Sequence, residues 1–399
     1  MSAPRLAAPA VEKFDLSKAA SLRNLLLIAG VVGIIGALIG WVVDARQFAF
    51  SWLFAFQFWY SLCVGCLFWT CLHHATDSEW SVLVRRQLEN VIALIPLLIA
   101  FFLPILFNLD VLYRWWNTEP GADALLDAKR GYLNHGFFYV RVIAYFGLLS
   151  LVGWMLRSHS VEQDVDGAAR RTVAMRKLGV VGIPIIAVCL TFSAVDWLMA
   201  LDHHWFSTMW GVYNFGGAVG AAMAAWILIV SALRERGYLK PVTMEHYHIM
   251  GKFLLAFTIF WAYIGFSQYM LIWYANIPEE TIYFRLRNTG NWYYLSTLLT
   301  VGRFFLPFPI LLTQWVKKVP DKLNAVSWWV IGMQLLDIFV MVIPVKSTLG
   351  FTFMDVVFSI FPLVGMGGIL GWMFLNNLGK SATFPTRDPR LLASLKLTN

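Results

Sequence analysis

Five charged residues stand inside long apolar runs: Arg141, Asp196, Lys252, Arg303 and Asp337. A charge at the bilayer centre costs roughly 2.5–3.5 kcal/mol on insertion scales, so each is a functional hypothesis by default. A carboxylate in such a place can exchange protons, and a nearby cation sets which protonation state it holds. Other titratable groups sit at the ends of the runs: His135, Asp202 and His204 toward one face, His246 and His248 toward the other. Together these ten read as proton-exchanging groups reaching inward from both faces. Asp196, Arg141, Asn134, His135, Asn214 and Asp337 are expected to converge in one outer polar cluster. The competing reading is structural: ion pairs, such as Arg141 with Asp196 or Asp337, lock the helices in place, and Lys252 snorkels to the surface. His73, His74, Asp77 and Glu79 end the second run and Glu89 opens the third; these read more simply as groups meeting water.

The same residues argue against a resident cofactor. A buried b-type haem needs two His deep in facing spans, and all eight His lie at span ends or in loops. Cys63-Val-Gly-Cys66 has C-x-x-C spacing, but it lies within an apolar run and no His follows it. An iron–sulfur cluster needs four ligands, which Cys71 and Cys189 are not arranged to complete. No metal-ligand set, P-loop, dinucleotide-binding glycine motif or nucleophile motif is legible. The glycines at Gly216-Gly217, Gly220, Gly365 and Gly367-Gly368 read as close helix packing.

The elements that must position these groups are membrane helices. The chain has 399 residues, 59% hydrophobic and 14% charged, with 19 Trp and 31 Phe. Soluble domains run at about 25% charged. Apolar runs fall at 22–43, 49–74, 88–108, 134–156, 177–200, 207–233, 248–275, 291–314, 324–344 and 353–376. Each is long enough to cross about 30 Å of hydrocarbon, where the backbone must satisfy itself as helix. The expected fold is an all-α integral membrane protein of about ten transmembrane helices, with kinks at Pro184, Pro307, Pro309 and Pro362. It divides into an N-terminal segment, 1–21, a polytopic domain, 22–376, and a C-terminal tail, 377–399.

Parity puts both termini on one side. Of the 31 Lys and Arg, three lie within spans, and seven fall opposite the termini: Arg46, Arg114, Lys129, Arg130, Arg285, Arg287 and Lys346. The remaining 21 share the side of the termini, which the positive-inside rule makes cytoplasmic. The net charge of +8 therefore speaks of topology, not of nucleic acid. Spans 2–5 and 6–9 enter the membrane in the same orientation, so they form two four-span blocks in parallel.

One stretch is more specific than its hydropathy: Ser193-Ala-Val-Asp196-Trp197-Leu198-Met199-Ala-Leu-Asp202-His203-His204-Trp205-Phe206-Ser207. Two further stretches are distinctive. One runs from Gly251-Lys252 through Phe260-Trp261-Ala-Tyr263 and Ser267-Gln268-Tyr269 to Asn276-Ile-Pro278-Glu279-Glu280. The other is Arg303-Phe-Phe-Leu-Pro307-Phe. These resemble the F subunit of alternative complex III, a bacterial quinol:cytochrome c oxidoreductase, within the polysulfide-reductase-like (NrfD-like) membrane proteins. His203 stands where the family pattern carries Pro. The resemblance implies two four-helix bundles, spans 2–5 and 6–9, plus peripheral helices. It implies a subunit without a cofactor of its own, quinol as substrate of the complex, and a place in the bacterial inner membrane. The implied partners are a larger NrfD-like paralogue, an iron–sulfur subunit, multihaem and monohaem cytochromes c carrying haem c, and a terminal oxidase. Its polar residues are then expected to conduct protons coupled to the redox reaction.

Two alternatives stand beside this. The chain itself binds quinol, with His135, Tyr139, Arg141 and Asp196 supplying hydrogen-bond partners in an apolar pocket. Or it is a secondary transporter, which paired charges at the midplane also suit.

Overall fold

In the computed structural model, residues 11–398 are described; residues 1–10, the start of the expected N-terminal segment, lie outside them. Among the described residues ten helices are long and apolar enough to cross a membrane. They are span 1, Ala20–Val43; span 2, Ala45–Ala75; span 3, Val82–Leu106; span 4, His135–Asp166; and span 5, Ala169–Leu201. Then follow span 6, Trp210–Glu235; span 7, Met244–Ala275; span 8, Trp292–Leu312; span 9, Pro320–Lys346; and span 10, Phe353–Leu378. The chain is an all-α, multi-pass membrane protein. Among the described residues the strand-like pairing is a single bridge between Lys13 and Ala382.

The start of span 3 shows how hydropathy misplaces an end. The apolar run opens at 88, yet the helix opens at Val82, because Arg85, Arg86 and Glu89 lie on it fully buried. A charge paired inside the protein looks, to a hydropathy window, like a loop. The helix breaks at Ala93–Leu94, just ahead of Pro96. That ring has no N–H to offer the carbonyl of Ile92 and crowds the preceding turn. Spans 4 and 5 extend past the apolar runs by polar turns, which need no hydrocarbon around them.

Spans 2, 3, 4 and 5 pack in a ring, as do spans 6, 7, 8 and 9, and the rings meet where span 2 lies against spans 6 and 9. The two four-helix bundles expected from the order of the runs are therefore present. Span 2 sits between the bundles and is buried over 94% of its apolar length, which explains why it is apolar all round. Spans 1 and 10 form a separate pair seated on span 2.

That pair depends on glycine. Gly30, Gly33, Ala37 and Gly40 make one smooth face of span 1, and the opposite side carries Ile28, Val31, Ile35 and Ile39, all exposed for lipid. A Cβ on Gly33 would stand 2.4 Å from the backbone N of Gly365 and 2.7 Å from the carbonyl of Phe361. Backbone atoms cannot yield as a side-chain tip does. Gly33→Ala is expected to lower stability by about 1–3 kcal/mol, the usual cost of overpacking. Thermal unfolding of the detergent-purified variant checks this, and an unchanged midpoint would exclude it.

The expected kinks resolve differently. The helix continues through Pro184 and Pro362. At Pro307 it widens into a π turn, Val301–Phe305, in which Leu306 N donates to Val301 O at 3.0 Å. The Gly302 carbonyl accepts instead from Trp329 Nε1, at 2.6 Å. A neighbouring helix thus satisfies the backbone that the wide turn leaves open. Arg303 sits in this turn.

Candidate functional site

Each bundle holds a buried ion pair built alike: an Arg on its third helix meets an Asp on its fourth. In the first bundle Arg141 Nε and Nη2 donate to Asp196 Oδ2 and Oδ1 at 2.8 and 2.9 Å. Tyr145 Oη donates to Oδ2 at 2.7 Å. The remaining Arg141 Nη1 donates to the Tyr132 carbonyl at 2.8 Å, and the Tyr132 ring covers the guanidinium at 3.9 Å. Asp196 is 0% exposed and receives three donors. The bidentate fork is closed, which suits holding spans 4 and 5 in register.

In the second bundle Arg303 Nη1 donates to Asp337 Oδ2, and Nη2 donates to Gln334 Oε1. Tyr213 Oη donates to Asp337 Oδ1 at 2.7 Å and Trp261 Nε1 to Oδ2 at 3.2 Å. The guanidinium lies 4.2 Å from the Trp261 ring. Gly217 makes the room: a Cβ there would stand 2.9 Å from Gln334 Oε1 and 3.1 Å from Arg303 Nη2. This pair differs from the first in one respect. Asp337 lines a cavity of about 690 Å³ whose other walls include Tyr213, Trp261, Tyr283, Gln268 and Arg287. A carboxylate held among aromatics, yet reached by a cavity, is placed to pass a proton to what enters.

The other residues singled out from sequence do not join one cluster. His135 is exposed, stacks on Trp116 at 3.8 Å and bonds its carbonyl through Nε2 at 2.9 Å. Tyr139 is exposed, and Asn214 bonds its own helix at Trp210 O. Asp196 and Asp337 belong to different bundles, so the expected outer cluster is two sites. Asp202 accepts from the His204 backbone N at 3.2 Å, while the His204 ring turns to Asp123. Lys252 lies exposed on span 7. His246 is buried at the start of that span, where it closes a capping box with Thr243. His248 pairs with Glu245 at 3.6 Å.

A third polar cluster lies on the face of the termini, and its depth is a correction. His73 and His74, expected to meet water, are 2% and 0% exposed, and His73 is enclosed by the rings of Trp69, Trp80 and Trp226. Beside them Arg85 binds Glu89 at 3.1 Å and Asp388 at 2.9 Å, and Arg86 binds Asp164 at 2.7 Å. Arg390 grips Asp388 with two donors and reaches Asp77 at 2.9 Å. The C-terminal segment is therefore docked: Thr383 N donates to Glu12 O at 2.9 Å, and Ser394 Oγ donates to Trp80 O at 2.8 Å. Partners 303 residues apart, as Arg85 and Asp388 are, leave no local signal in the sequence.

Burial opposes the charge on Asp388, but Arg390 and Arg85 outweigh it and hold the carboxyl below the usual range. A lowered carboxyl contributes stability above its unfolded value, near 4, and loses it only as pH falls through the lowered folded value. The tail should stay docked from pH 8 to pH 5. Asp388→Asn takes from two buried guanidinium groups one of their two anions, Arg85 keeping Glu89 and Arg390 keeping Asp77, at a cost of about 1.5–3 kcal/mol. Trypsin cleavage at Arg387 and Arg390 is expected to become at least about tenfold faster in that variant. Equal cleavage of variant and wild type would exclude the docking role.

Fold and sites together define a polytopic, helical membrane protein with a paired charge buried in each of two bundles. Compared with known proteins, the chain matches no family model, and no curated protein matches it.

Proposed function

We propose that this chain is a cofactor-free membrane subunit of a bacterial quinol:cytochrome c oxidoreductase, of the alternative complex III type. It lies in the inner membrane with both termini cytoplasmic, and its part is proton conduction coupled to quinol oxidation. The reading rests on the Asp196–Ser207 stretch and its two companions, and on the excess of Lys and Arg on the side of the termini. The observation that carries the proton role is Asp337, tied to Arg303 and Tyr213 and lining the large cavity of the second bundle. Its partners are an NrfD-like paralogue, an iron–sulfur subunit and cytochromes c; quinol is the substrate of the complex. Mild-detergent purification through this chain, with haem spectroscopy and subunit identification, tests the assignment. Stoichiometric c-type haem with an iron–sulfur partner supports it. A solitary, haem-free protein overturns it and favours a transporter.

One observation favours direct quinol binding as a second reading. The 690 Å³ cavity has aromatic walls, with Asp337 and Gln268 as polar groups for an amphipathic ring. Photo-crosslinking with a quinone analogue distinguishes it: labels on Tyr213, Trp261 or Tyr283 support it, and labelling confined to a partner subunit excludes it.

A further inference from the structure

The turn between spans 5 and 6 brings three ligand-type side chains to one point on the face opposite the termini. His203 Nε2 and His204 Nε2 lie 2.9 and 2.7 Å from a single oxygen, Asp123 Oδ2. The three ligand atoms all lie within 4.8 Å of one another. We propose that Asp123, His203 and His204 form a binding site for a divalent transition-metal ion of the Zn²⁺ class, clasping the 107–134 connection to the span 5–6 turn.

The carboxylate is oriented before any ion arrives. Its other oxygen, Oδ1, caps the short helix Ala124–Lys129, accepting from Leu125 N and Leu126 N at 3.0 and 3.1 Å. Capping fixes the group so that Oδ2 faces the imidazoles, the outer-shell support that metal-ligating carboxylates commonly have. The two His are adjacent in sequence, yet their ring centroids lie 4.3 Å apart on one side. Neighbours in a regular helix would diverge by about 100°; the irregular turn after Leu201 lets them converge. Lys129 Nζ holds the turn by donating to His203 O at 2.6 Å.

Plain hydrogen bonding to Asp123 accounts for the present contacts. The donor set says more. Two imidazoles and a carboxylate are a common three-ligand set for zinc, which leaves a fourth position for water. His204 has 53% of its side chain exposed, so solvent reaches the site. With metal–ligand bonds of about 2.0–2.2 Å, tetrahedral ligands stand about 3.3 Å apart, so the two His–Asp123 distances need open by only about half an ångström, while the two imidazole nitrogens, within 4.8 Å of each other, settle to the same separation. Imidazole donors select Zn²⁺ or Cu²⁺ over Ca²⁺ and Mg²⁺. The local charge permits it, since Asp123 and Asp202 outnumber Lys129.

This inference is independent of the respiratory reading. Its test uses the full chain in detergent, purified on a tag without His, stripped by chelator and titrated with Zn²⁺ and then Co²⁺. The expected result is one Zn²⁺ per chain by elemental mass spectrometry, and visible Co²⁺ absorption of a four- or five-coordinate site. His204→Ala and Asp123→Asn should each weaken binding at least about tenfold. Asn retains the capping oxygen, so a variant eluting at the wild-type size tests the ligand and not the fold. Absence of stoichiometric binding at micromolar Zn²⁺, or wild-type binding by both variants, overturns the proposal.

Discussion

On the proposed proton role, Asp337→Asn is expected to uncouple proton movement from electron transfer in the proposed complex. Asparagine keeps the size and still accepts from Tyr213, while Arg303 retains Gln334 and the face of Trp261. The anion beside a buried guanidinium is lost here as in the first bundle, but water entering the cavity that Asp337 lines offsets part of that cost, so the variant is expected to fold, and in the proposed complex co-purified haem reports its assembly. What is lost is a group that can take up and release a proton where the cavity reaches it. Removing a positioned acid–base group costs about 10²–10⁴-fold in a step that needs it. Proton-coupled turnover is expected to fall by at least about 100-fold. The measurement is the proton-to-electron ratio in vesicles carrying the purified complex, beside quinol oxidation in detergent. An unchanged ratio in an assembled Asp337→Asn complex would sink the proton role and leave Arg303–Asp337 as a second structural lock.

Asp196→Asn should behave in the opposite way. It replaces an anion that receives two donors from Arg141 and one from Tyr145, with no exposed surface through which water could repair the loss. Breaking a buried pair from one side costs about 3–5 kcal/mol, because the remaining charge stays buried and uncompensated. Loss of folded protein, or a large drop in unfolding temperature, is expected before any change in coupling. Replacing both partners separates structure from function. Arg141→Met with Asp196→Leu removes both charges, and such replacements are often neutral or stabilising. Recovery of stability in the double variant, with the proton-to-electron ratio intact, marks the first pair as structural. A stable single variant with altered coupling would reverse the assignment of roles between the two bundles.

The contrast could not be drawn from hydropathy or spacing. Arg141 and Asp196 were legible as partners, being charges at similar depth on adjacent spans. Asp337 was equally open to Arg141 from its depth alone, and only the packing of span 8 against span 9 gives it Arg303. His135 and Tyr139 stood close to Arg141 in the chain, yet the helix turns them outward to Trp116 and to the exposed surface.

By itself the sequence determined the solvent of this protein. Ten apolar runs, the short connections between them and the order of the runs were enough for ten helices, because a backbone in hydrocarbon has few other ways to satisfy its hydrogen bonds. It also marked the residues too costly to bury without a reason. Tertiary structure alone decided which charges meet, which carboxylate a cavity reaches, and how far the charged start of span 3 and the tail are buried. It also brought Asp123 to two histidines 80 and 81 residues away. The physical reason is range. Partition into a membrane is a sum over neighbours along the chain, whereas an ion pair or a ligand set depends on distances of a few ångströms between segments the chain order does not relate.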